Sequence, residues 1–243
     1  MLLSVAGVYA SPTGTYNLGG DWSDASNPNG PWSYGDGGGA IGNHVSSYIP
    51  GGFSATQPAW VYAASGPGHI VSWFKATGTG IGTDWQIGDV ITHTWDAGSS
   101  GGISTPNANV MWTSPGAGQI DLSGAVWLAR DIGRSVDWSL AINGQALSGG
   151  MLFSGDPYNR SNPFNLAAGS GGAGVLNDVT VAAGDQVALS LITRSASGDF
   201  AGVNFQIEFT PVPEPASLAL LAIGVAFVAA RRWRIGRAGS RGG

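Results

Sequence analysis

The sequence predicts an all-β chain: an antiparallel jelly-roll-like β-sandwich followed by one C-terminal transmembrane helix. Three observations predict it. Glycine takes 41 of 243 positions, about one in six against roughly 7 % in average proteins, and proline adds 13, so turns are frequent. Ten Trp, eight Phe and six Tyr speak for a packed core, because disordered chains are poor in aromatics. Apolar residues alternate with polar ones along several short segments, and no segment of convincing helical character precedes Ala216.

The first element, MLLSVAGVYA at residues 1–10, reads as the end of a signal peptide. Val8-Tyr9-Ala10 puts small residues at the −3 and −1 positions of a cleavage site before Ser11. The basic front of such a peptide is missing, which a start codon assigned too far downstream accounts for. An N-terminal β-strand is the alternative.

The exported domain spans residues 11–210. Its clearest strand is 203–210, with Val203, Phe205, Ile207 and Phe209 facing one way and polar residues the other. Residues 136–142 alternate and run into Asn143-Gly144, the pair favoured in type I′ hairpin turns. Residues 178–181 precede a turn at Ala183-Gly184-Asp185, after which Val187, Leu189 and Leu191 form one face of the next strand. Segments 59–63, 69–76, 89–95, 108–113 and 125–130 complete the set. Strands every ten to fifteen residues with turn signals between them favour a sandwich or barrel.

The last elements are a Pro-Glu-Pro motif at 211–215, an apolar helix at 216–230 and a basic tail at 231–243. Ala216 to Ala230 carries Ser217 as its sole polar side chain. As a helix it spans roughly 22 Å at 1.5 Å per residue, short of a ~30 Å bilayer core but able to cross it with the flanks at the interfaces. Its seven strongly apolar residues favour insertion by about 2–4 kcal/mol. Arg231, Arg232 and Arg234 stop the span, and five of the ten cationic residues lie in the last thirteen positions. Arginines stay on the cytoplasmic side, which places the C-terminus inside and the domain outside. The two prolines lack N–H groups and hold Val212-Pro213-Glu214-Pro215 extended, as a protease cleft requires.

That order of parts (Pro-Glu-Pro, apolar helix, Arg231-Arg232-Trp233-Arg234) resembles a PEP-CTERM sorting signal. The resemblance implies an exported protein of a Gram-negative, exopolysaccharide-producing bacterium. It also implies recognition of the motif by exosortase, a membrane-embedded protease or transpeptidase. The nine residues after the arginine cluster are longer than that pattern usually has. Trp112-Thr113-Ser114-Pro115-Gly116-Ala117-Gly118 and Val181 to Val187 are similar to turns of β-sandwich domains found on such proteins, and Asn27 to Gly35 resembles the N-terminal segment of such proteins. These motifs imply architecture and carry no chemistry.

Residues 11–211 hold five cationic side chains against fourteen acidic ones, a net charge of −9. Such a surface repels phosphate backbones and excludes nucleic acid as a partner. The absence of cysteine excludes disulfides, Cys-based zinc sites and thiol catalysis. Gly98-Ser99-Ser100-Gly101-Gly102 matches a nucleophile-elbow pattern, but no helix pattern follows it. Gly37–Gly42 and Gly169–Gly174 match a dinucleotide fingerprint at the frequency that chance sets for so much glycine. His44, His69 and His93 lack a second ligand at metal spacing, so no catalytic or metal residue is assigned. The loop aspartates, among them Asp21, Asp24, Asp36, Asp84, Asp89, Asp156, Asp178 and Asp199, leave room for one structural calcium, and they are equally good turn residues.

The expected role is structural or adhesive and non-enzymatic, with exopolysaccharide as a further partner. The first alternative is a carbohydrate-binding module that stacks Trp22, Trp60 and Trp85 on sugar rings. Core packing is the competing use of those indoles. A polysaccharide hydrolase or lyase would need two convergent carboxylates, and no spacing selects a pair.

Overall fold

The computed structural model describes residues 13–49, 56–62, 70–79, 85–96 and 107–212. The predicted signal segment, Pro213-Glu214-Pro215, the 216–230 helix, the arginines of the 231–243 tail, Gly98–Gly102, His69 and Asp84 lie outside the described residues.

The described residues form fourteen strands in two antiparallel sheets. In chain order they are β1 (Gly14–Asn17), β2 (Trp32–Gly35), β3 (Asn43–Tyr48), β4 (Gln57–Val61), β5 (Ser72–Lys75), β6 (Val90–His93) and β7 (Asn107–Thr113). There follow β8 (Gly118–Leu128), β9 (Ser135–Ile142), β10 (Gln145–Phe153), β11 (Phe164–Asn165), β12 (Val179–Val181), β13 (Gln186–Thr193) and β14 (Phe200–Pro211). Short 3-10 turns at Leu166–Ala168 and Ala173–Leu176 join β11 to β12. The smaller sheet runs β10-β9-β13-β7-β2. The larger runs β11-β8-β14-β6-β5-β4-β3, with β12 beside β8 and β1 beside β14.

The sheets pack face to face because their strands alternate. On β14 Val203, Phe205, Ile207 and Phe209 are buried, while Asn204 and Glu208 are exposed. Across the interior, Val187, Leu189 and Leu191 of β13 and Val136, Trp138 and Leu140 of β9 are fully or almost fully buried in the same cluster. Rings cross between the sheets: Trp32 meets Phe205 edge-on at 5.9 Å, and Tyr16 meets Trp112 at 5.3 Å. Truncating an indole in such a core costs about 3–5 kcal/mol.

The larger sheet is buried on both faces at its β3–β6 end. On β5, Trp73 points into the sandwich and Phe74 points away, yet both are 0 % exposed. Phe74, Trp85, Trp127 and Phe200 form a second cluster on that outer face.

The predicted strands match at β4–β7, β9 and β12–β14, within a few residues at each end. The differences have physical causes. β1, β2, β3, β10 and β11 are not among the predicted strands, because the first four (GTYN, WSYG, NHVSSY, QALSGGMLF) do not alternate cleanly and the two residues of β11 are too few to alternate. β8 begins at Gly118, seven residues before the predicted 125. Its early part does alternate, with Ile120 and Leu122 buried between exposed Gln119, Asp121 and Ser123.

Candidate functional site

The turns singled out in the sequence converge at one pole of the sandwich. In the 112–118 turn, the Ser114 amide donates to the Asp185 carbonyl at 2.8 Å. In the 181–187 turn, the Gly184 amide donates back to the Ser114 carbonyl at 2.9 Å. Asp185 closes its own turn by accepting the Ala182 amide at 2.7 Å and ties in the β9–β10 hairpin by accepting Asn143 Nδ2 at 2.9 Å. These bonds, the backbone one foremost, hold its carboxyl below the usual range. Gly118 is required there: a Cβ would lie 2.5 Å from the Thr210 carbonyl oxygen and from the Phe209 ring.

Both ends of the described domain reach this pole. β14 pairs with β8 to its last residue, Pro211 opposite Gly118, and the Val212 amide donates to the Ala117 carbonyl at 3.1 Å. β1 starts beside it, Gly14 opposite Phe209. Val212 is 49 % exposed and tied to the sandwich by that bond. The other members of the predicted motif, Pro213, Glu214 and Pro215, follow it directly in sequence.

Residues 211–234 match the PEP-CTERM protein-sorting motif. The motif implies export, C-terminal membrane anchoring, and recognition by an exosortase as processing partner. Its first residue is the last residue of β14, so the matched segment leaves the sandwich with one tethered residue before the Pro-Glu-Pro tripeptide. No curated protein matches the chain.

The three indoles expected on a sugar-stacking face do not share one. Trp60 is 6 % exposed and Trp85 2 % exposed, and they sit in clusters on opposite faces of the larger sheet. Trp60 donates its Nε1–H to the Ser23 carbonyl at 2.8 Å and packs edge-on against His44. Trp22 is half-buried, stacked on Tyr34 at 4.2 Å, and donates to Asp24 at 3.0 Å. Packing accounts for both: Trp60 lies on β4, at a sheet end buried on both faces that period-2 alternation cannot tell from one with a wet face, and Trp85 lies between β5 and β6 in sequence and packs on Phe74 and Phe200.

Several loop aspartates accept hydrogen bonds from nearby turns. Asp21 accepts the Asn17 amide and Trp32 Nε1, Asp36 the Gly38 amide, and Asp156 the amides of Phe153 and Tyr158. The two glycine fingerprints are loops. Gly37–Gly42 joins β2 to β3, and Gly169–Gly174 leads into a four-residue 3-10 turn.

Two clusters carry no signal in the sequence, since their members lie tens of residues apart. Asp199 is fully buried, with one oxygen on the Phe200 amide and the other without a partner. Burial pushes its carboxyl up to about 7. Nearby His93, also buried, is pushed down by the same cause. The second cluster lines a cleft of about 600 Å³ containing Lys75, Asp89, Arg160 and Asn204.

Proposed function

We propose that the chain is an exported, non-enzymatic cell-envelope or extracellular-matrix protein with a structural or adhesive role. Its β-sandwich, jelly-roll-like in the repeated crossing of the chain between sheets from β7 to β14, is the mature part. Exosortase takes it by Val212, Pro213, Glu214 and Pro215. The 216–230 segment is a transmembrane helix, stopped by Arg231, Arg232 and Arg234, that first holds the domain on the periplasmic face of the inner membrane. Processing then releases it to the cell surface or matrix, where exopolysaccharide is a partner.

The observation that carries this reading is the sorting-motif match starting at the last residue of β14. The pole geometry supports it. Residue 13 and Val212 leave the same end of the sandwich, so a leading segment and a trailing span can both meet one membrane without crossing the domain. Fractionation of the host tests it. Wild type is expected in the surface or matrix fraction, and a Pro213→Ala/Pro215→Ala double variant in the inner membrane. Identical distribution of the two would refute it.

A further inference from the structure

We propose that the cleft at the point where β14 changes neighbours binds an acidic oligosaccharide, with a sugar carboxylate at Lys75 and sugar hydroxyls at Asn204. The cleft follows from the sheet register. Phe200–Val203 of β14 pair with β6, Gln206–Phe209 pair with β1, and the gap between the two neighbours opens beside Asn204. At about 600 Å³ it falls in the range of small-ligand sites.

Its lining divides by chemistry. Ala125 and Trp127, on the same face of the sheet as Asn204, are at most 9 % exposed and supply an apolar floor. Gly19, Gly20 and Gly88 form stretches without side chains, so a flat ring can approach the backbone. Arg160 closes one wall by gripping Asp89 with two hydrogen bonds, Nε–Oδ2 at 2.5 Å and Nη2–Oδ1 at 2.9 Å. That pair cancels its own charge. Lys75 remains: its ammonium donates to the Gly19 carbonyl at 2.8 Å, and among the described residues no carboxylate lies within 4 Å of it. The Asn204 amide makes no hydrogen bond to a described residue and is exposed.

The cleft thus carries a formal charge of +1 on a body whose net charge is −9, and two of the body's five cations line it. A single carboxylate seated at Lys75 gains from that local charge against the repulsion of the acidic body around it, and a neutral sugar gains nothing from it. A bare phosphate is a poorer fit. The amides of Gly20 and Gly88 are spent inside the protein, on Asn17 Oδ1 and the Ala76 carbonyl, so they offer no anion nest. An apolar floor with one amide and one ammonium suits the mixed C–H and O–H surface of a uronate ring. This deepens the adhesive reading above. Binding and sorting are measured separately, so either can fail without the other.

Calorimetric titration of the full chain in detergent tests the proposal. The probes are a uronic-acid tetrasaccharide and the same tetrasaccharide with its carboxylates reduced. The acidic sugar is expected to bind saturably, more weakly as salt rises, and at least about tenfold more tightly than the reduced one. Lys75→Gln and Asn204→Asp should each weaken it at least about tenfold with the melting temperature unchanged. Equal affinity for both sugars, affinity unmoved by both substitutions, or no saturable heat would each overturn the proposal.

Discussion

Asp199 shows what a single buried group does to this fold. Its carboxyl ionises at about 7 in the folded chain against 3.8 when free. Between those values the folded state holds a proton the unfolded state has lost, so stability falls as pH rises from about 4 to about 7 and then levels. His93 works in the opposite sense: its folded value lies below 6.5, so it costs stability as pH falls through that value. Arg130, Arg134 and Asp131 act on Asp199, and Asp96 with the same two arginines acts on His93. Asp199→Asn keeps the acceptor for the Phe200 amide and removes the ionisation. It should leave the melting temperature at pH 4 nearly unchanged and raise stability at pH 8, by at most about 4 kcal/mol. Thermal melts at the two pH values check this. Gly202 makes a second residue-scale case: a Cβ there would sit 2.0 Å from the Trp127 ring. Gly202→Ala should cost at least about 2 kcal/mol in urea unfolding, because Trp127 is itself buried and cannot yield. Neither position is legible in the sequence, where Asp199 reads as one more turn aspartate. Trp60 and Trp85 leave sugar stacking and core packing both open in the sequence for a related reason: residue type announces an aromatic, and only tertiary structure shows what covers it.

Among elements, β14 was the most legible and is the most consequential. Its strict alternation predicts one buried face, and the structure places it inside the larger sheet, paired on both sides over much of its length. Hydrogen exchange should find the Phe205 and Ile207 amides among the slowest of the described residues, and Val212, held by one bond, far faster. The Asn143-Gly144 turn was equally legible: both residues have positive φ, 50° and 78°, as a type I′ turn demands. Gly144→Val should destabilise by about 1–2 kcal/mol, read from the urea midpoint, since a β-branched residue resists that region. β1 and β2 were hidden because they are short and their neighbours in space come from distant sequence, and β3 because its mostly polar NHVSSY does not alternate. β1 pairs with a strand some 190 residues later. The cleft was hidden for the same reason, as Lys75 and Arg160 meet only through the register of β5, β6 and the loop before β11.

At the scale of the whole molecule, destination is written more plainly than mature role. The sorting segment is local and contiguous, and a contiguous signal can be read without a fold. What the fold adds is position. In sequence the Pro-Glu-Pro tripeptide starts one residue beyond the last strand, which ends at the pole where β1 also begins. Lengthening the junction by six Gly/Ser residues after Val212 should leave the domain's melting temperature unchanged while moving the processing site outward. A change in processing rate would measure how far the folded pole shields it. The central claim, that the C-terminal segment is an address read and removed, meets its most direct test in the intact mass of the mature protein from its native host. A C-terminus between Val212 and Ala216 is expected in the surface or matrix fraction. A chain extending to Gly243 in every fraction would contradict it and leave a domain permanently anchored in the membrane.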